Sequence, residues 1–128
     1  MQPAEDDAEN TPSFTVTTHR EGNVLFLTLS GEVDLHNVAA LREALATGLQ
    51  DRQCVEVIAD IGDVPFMDSS GYGAFLGVMQ QLAPRGGHVR FVRCHPYVAR
   101  MLDVTRLNRA FEIHDSIEEA REAVREYL

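Results

Sequence analysis

Two adjacent hydroxyls, Ser69 and Ser70, follow a carboxylate, Asp68, and precede Gly71-Tyr72-Gly73. Side chains of these types at this spacing suit one of two tasks. At the start of a helix, Asp and Ser accept hydrogen bonds from free backbone N–H groups and cap it. The same place, at the positive end of the helix dipole, also suits a phosphate. Asp68, Ser69 and Ser70 are all capping types where one would do, and Gly71 and Gly73 each weaken a helix by about 1 kcal/mol relative to Ala. A helix that begins this way leaves its start uncluttered for another molecule.

The flanking pattern places these residues between a strand and a helix. Val55, Val57, Ile58 and Ile61 read as a buried strand over Cys54–Ala59, and Tyr72, Phe75, Leu76, Met79 and Leu82 mark one face of a helix from about Ser69 to Ala83. Upstream, Ser13–His19 alternates as a strand with Phe14 and Val16 on one face. Arg20–Asn23 is a turn, and Val24–Leu29 completes an antiparallel hairpin. Gly31–Asn37 is a loop with Asn37 as a helix cap, before a helix carrying Val38, Leu41, Leu45 and Leu49.

Downstream, His88–Arg93 alternates as a strand, and Pro96 opens a helix with Val98, Met101 and Leu102 inside. Phe111 and Ile113 form a short last strand. Ser116-Ile117-Glu118-Glu119 is a capping box opening a terminal helix with Ile117, Ala120 and Val124 inside. The order β-β-α-β-α-β-α-(β)-α predicts one α/β domain: a mixed sheet of four to five strands, an N-terminal antiparallel hairpin, βα crossovers and about four helices. In such a sheet the strand-to-helix loops share one rim. Gly31–Asn37, Val64–Gly71 and Arg93–Pro96 should therefore gather Asp34, Asp68, Ser69, Ser70 and His95.

Composition narrows the function. At 128 residues with a formal charge of −9, the chain has one core and no basic surface for nucleic acid or anionic membrane. No apolar run reaches the roughly 18 residues of a membrane span, and the start lacks the features of a secretory signal, so a cytoplasmic protein is expected. Residues 1–12 are acidic, carry two prolines and read as a disordered tail ahead of a domain over 13–128. Cys54 and Cys94 fall in separate strand regions and read as small buried hydrophobes.

Other chemistries fit poorly. Asp68 stands where the first glycine of G-x-S-x-G would be, so a hydrolase built on Ser70 and a rim histidine, His36 or His95, is disfavoured. The five histidines are scattered without metal-ligand spacing, and no Walker loop occurs. Gly86-Gly87 precedes a strand and reads as a turn, and Asp34 with Asp68 reads as a solvated pair on the rim. No catalytic, cofactor or metal site is expected.

Gly31-Glu32-Val33-Asp34 and Phe66-Met67-Asp68-Ser69-Ser70-Gly71 resemble the two signature segments of the STAS domain, and most closely the anti-sigma factor antagonists of the SpoIIAA type. The resemblance covers about residues 13–127. It implies that Ser69 is phosphorylated by a partner anti-sigma factor that is also a serine kinase, and that a phosphatase restores the free form. It places Asp34, Asp68, Ser70 and Gly71 at the partner-binding rim, and Tyr72 beside them joins the expected docking surface. A STAS scaffold in a larger sensory complex is the alternative within the family. Arg106 stands where the family commonly has glycine. If that position needs positive φ, Arg costs about 1 kcal/mol or more there.

Overall fold

β-Branched and aromatic residues fill five segments that pair in chain order. In the computed structural model, which describes residues 14–128, β1 (Thr15–Glu21) and β2 (Val24–Ser30) form an antiparallel hairpin that turns at Gly22, where φ is +57°. There follow α1 (Val38–Gly48), β3 (Glu56–Asp63), α2 (Ser69–Leu82), β4 (His88–Val92), α3 (Pro96–Val104), β5 (Glu112–His114) and α4 (Ile117–Ala123). The sheet order is β1-β2-β3-β4-β5, and each pairing after the hairpin is parallel. This is the mixed sheet the element order predicts. The tail read over residues 1–12, like Ser13, lies outside the described residues.

The sheet has two unlike faces. On the front, Leu25, Leu27, Leu29, Val57, Ala59, Ile61, Val89 and Phe91 meet the apolar stripes of α1, α2 and α3 in one continuous core. Phe75 and Phe111 both meet Phe91 edge-on, with centroids 4.8 and 5.0 Å away. On the back, Val24, Phe26, Ile58 and Val92 are covered by Ala120 of α4 and Val124 just beyond it, with Ile117 and Tyr127 packed against them. Beside that small cluster the carboxylate of Glu56 accepts from Arg90 Nε at 2.9 Å and lies 2.9 Å from His88 Nδ1. Arg90 Nη1 in turn donates to His114 Nε2 at 3.0 Å.

Several boundaries differ from the local reading, each because a distant contact decides. β1 runs on to Glu21, which pairs with Val24 and is held by Arg121 of α4, leaving only Gly22 and Asn23 to turn. β3 runs past Ala59 to Asp63, because Asp60 and Asp63 still pair with β2 across a register shift. β4 does not alternate: Val89, Arg90, Phe91 and Val92 are all buried, since helices cover both faces. On α2, Leu76 and Met79 are only half-buried, and Ala74 and Val78 take the inner positions. Cys54 is buried just before β3, whereas Cys94 is half-buried beyond the end of β4; burial pushes its thiol up to about 11.

Candidate functional site

All three strand-to-helix loops meet at the carboxyl-end rim, and the first two are laced together by backbone. Val33 N donates to Phe66 O and Asp68 N donates to Val33 O, both at 3.0 Å. This lacing explains Gly71. A Cβ there would stand 2.5 Å from Met67 Cγ and 2.8 Å from Val33 Cγ1. Gly73 is different: it is exposed and a Cβ on it would meet nothing within 4 Å, so the fold does not require its openness. The third loop joins through an aromatic contact, the Tyr97 ring lying 5.4 Å from that of Phe66.

Asp68 is the cap of α2 and the hub of the rim. Its Oδ1 accepts from Ser70 N at 2.9 Å and from the Ser70 hydroxyl, and its Oδ2 accepts from Leu35 N at 3.2 Å. These bonds, that of the Ser70 hydroxyl foremost, hold its carboxyl below the ordinary value. Asp34 organises the first loop. Its carboxylate accepts from His36 N at 2.9 Å, and its carbonyl accepts from Asn37 N and Val38 N. Asn37 does not cap α1 with its side chain as expected. Its Oδ1 accepts from Asp34 N and its Nδ2 donates to Glu32 O, so it closes the loop that precedes the helix.

The two serines are placed differently. Ser69 is exposed at the first residue of α2, and its hydroxyl makes no hydrogen bond to other described residues. Ser70 is half-buried with its hydroxyl donated to Asp68, not to a histidine. His36 is exposed, 3.8 Å from Asp34, and His95 is exposed ahead of α3. Among the described residues no group of three or more His, Cys, Asp or Glu could hold a metal ion. No helix among them is long and apolar enough to cross a membrane.

Of the residues placed at the rim from sequence, Asp34, Asp68, Ser69 and Ser70 are brought together at its surface, whereas Gly71 and Tyr72 are buried beneath it. Tyr72 is 6% exposed, its hydroxyl finds no partner among the described residues, and burial pushes it up to about 12. Val64 and Met67 are likewise core, and Phe66 is half-buried. Two surface residues of the rim escaped the sequence reading: Leu35, 73% exposed, and Tyr97, 42% exposed. For Leu35 the available signal was an apolar residue within the otherwise polar run Asp34–Asn37.

Arg93 and Arg106 have φ of +59° and +63°, in the left-handed region where a side chain costs about 1 kcal/mol or more. The condition set at Arg106 is met: the residue there adopts positive φ.

Comparison with known proteins agrees with this geometry. The STAS domain profile matches residues 15–120. An anti-sigma F factor antagonist of Paenibacillus polymyxa is 35% identical over 98 residues, 77% of this chain and 83% of the relative. An anti-sigma factor antagonist from Mycobacterium paratuberculosis superposes with a TM-score of 0.79 at 25% identity, covering 88% of this chain and 95% of the other. SpoIIAA, solved as an anti-sigma factor antagonist in its unphosphorylated form, superposes at 0.70 with 27% identity, over 88% of this chain and 98% of its own. Its phosphorylated form, a Bacillus cell fate determinant, gives 0.67 at 25% identity, over 88% and 99%. With the family profile spanning both laced loops, the mixed sheet and the serine-bearing helix, the chain belongs to the STAS domain family.

Proposed function

We propose that this chain is an anti-sigma factor antagonist working in the cytoplasm as a phosphorylation-controlled docking protein. With Ser69 free, the rim binds an anti-sigma factor that is also a serine kinase, and a sigma factor is released. Phosphoryl transfer to Ser69 ends that binding, and a phosphatase restores it. The observation that carries the reading is the contrast between the two hydroxyls: Ser69 is exposed at the helix start and unengaged by other described residues, while Ser70 is committed to Asp68. The relatives named as antagonists, one of them solved in both phosphorylation states, support it.

The switch follows from electrostatics. A phosphate brings about −1.5 to −2 charges at neutral pH. The helix start favours it by about 0.3 to 1 kcal/mol at an exposed site, while the Asp68 carboxylate beside it opposes it, so the domain itself changes little. A docked partner is affected far more. An uncompensated charge sealed into an interface costs several kcal/mol, and each 1.4 kcal/mol is tenfold in affinity. Asp34, Asp68, Ser70 and the exposed Leu35 would form the contact surface, with Gly71 and Tyr72 supporting it from below.

The test is to incubate the chain with ATP and each anti-sigma factor kinase encoded in its own genome, then locate phosphate by mass spectrometry. One phosphate on Ser69 is expected. Ser69→Ala should stay bound to the kinase in the presence of ATP, and Ser69→Asp should bind at least tenfold more weakly. Phosphate on Ser70 alone, or backbone spectra rearranged throughout on modification, would overturn the reading.

A further inference from the structure

Arg93 stands at the exit of β4, outside the signature segments, in a backbone conformation that disfavours an arginine. Its side chain explains why the conformation is kept. The guanidinium donates from Nε to Asp60 Oδ1 at 3.0 Å and lies with Nη2 2.9 Å from the same oxygen. Asp60 Oδ1 also accepts from Gly62 N at 3.0 Å. The guanidinium occupies the space where Gly62 lacks a side chain, since a Cβ on Gly62 would stand 2.4 Å from Arg93 Cζ. A strained backbone, a carboxylate aimed at it and a missing Cβ thus meet in one clamp between the ends of β3 and β4.

The clamp points toward the phosphoacceptor rim. The left-handed turn at Arg93 sets the direction in which Cys94, His95 and Pro96 leave the sheet, and so where α3 starts. One residue into α3, Tyr97 rests on Phe66, and Phe66 O accepts from Val33 N in the lacing that holds Asp68. We propose that Arg93, clamped to Asp60 across Gly62, is a positioning residue for the docking rim, fixing the third loop so that Tyr97 braces the segment carrying Asp68 and Ser69. Its importance for kinase docking rests on the function proposed above; the brace itself does not.

Two variants attack the clamp from opposite sides. Gly62→Ala intrudes on the guanidinium at the flexible end of its side chain, and Arg93→Gly removes the clamp while relieving the backbone strain. In amide spectra of the full chain, both should shift or broaden Phe66, Met67, Asp68 and Ser69, and Arg93→Lys, which still reaches Asp60, should do so less. Arg93→Gly should leave the thermal midpoint unchanged or higher. With the kinase that modifies the wild type, both variants should raise KM for the chain at least fivefold while kcat stays within twofold.

Shifts confined to residues 60–63 and 92–95 would overturn the brace, as would an unchanged KM or a loss of kcat alone. A wild-type chain that no kinase phosphorylates at Ser69 would instead refute the proposed function, and the amide spectra would still judge the brace.

Discussion

The two faces of the sheet are held by different physics. The front face buries a continuous apolar core under three helices, whereas the back carries a six-residue cluster shared with the short α4 and a hydrogen-bonded chain running from the charged pair Glu56–Arg90 to His114. Apolar burial is non-directional, so its loss is proportional to what is removed. A buried charge chain is conditional: each member is tolerable only while its neighbour is present. The front should therefore respond to the size of a substitution, and the back to whether a partner has been stranded.

The largest effect should come from the front. Phe91→Ala removes the ring that both Phe75 and Phe111 meet edge-on, and should cost about 3 to 5 kcal/mol in urea unfolding with no second-site remedy of small volume. On the back, Glu56→Leu leaves the nearly buried Arg90 without its carboxylate and should cost about 3 kcal/mol. Adding Arg90→Leu should recover most of that loss. A double variant no better than the single one would erase the distinction between the faces.

Smaller effects probe positions that belong to neither core. Arg106→Gly accepts the left-handed conformation without strain and should stabilise by about 1 kcal/mol. Gly73→Ala meets no neighbour and should also stabilise by about 1 kcal/mol. It should nonetheless weaken the proposed kinase binding, because the new methyl would stand exposed about one helical turn beyond Ser69; equal binding would show that the open helix start serves nothing outside the domain.

The smallest effects concern pH, and they too should separate the faces. Burial, aided by the neighbouring Arg90, holds His114 below its ordinary value of 6.5 despite the carboxylates of Glu119, Glu112 and Asp115. Its neutral form is therefore part of the fold. The stability it contributes is intact above pH 6.5 and declines as pH falls through that value. Glu21, whose hydrogen bond from Arg121 takes it down from 4.5 to about 2, loses its contribution only between those values. Protection of the α4 amides, taken relative to their intrinsic exchange at each pH, should fall first as the pH drops below 6.5 and again below 4.5, ahead of protection in α2. Simultaneous loss in both helices would refute independent back-face control.

This division also explains what the sequence disclosed. Leu41 and Leu45, or Phe75 and Leu82, announce the front helices by spacing alone, because each faces one apolar surface. The rim's serines were legible for the same reason: topology places strand-to-helix loops together whatever their side chains are. The Glu56–Arg90–His114 chain was not, because its members lie 34 and 24 positions apart and each is an ordinary polar residue until strands align them. The extension of β1 to Glu21 depended on Arg121, a hundred positions away. Gly71 was placed at the rim by its motif, and Tyr72 both on the apolar helix face and at the rim; burial puts the two inside, because a motif names neighbours in the chain without saying which way each one faces. Gly62 and Arg93 each looked incidental, and only their juxtaposition gives either a purpose.

Asp68 already satisfies the Ser70 N–H and reaches across to Leu35, so the inward side of this helix start has an anion of its own. A phosphoryl group esterified to residue 69 would find that berth taken and would stand outward in water. Such a mark would be plain to a visiting protein and nearly invisible to the molecule bearing it. The information would lie in who is turned away, and removing the mark would return the same surface without any need to refold.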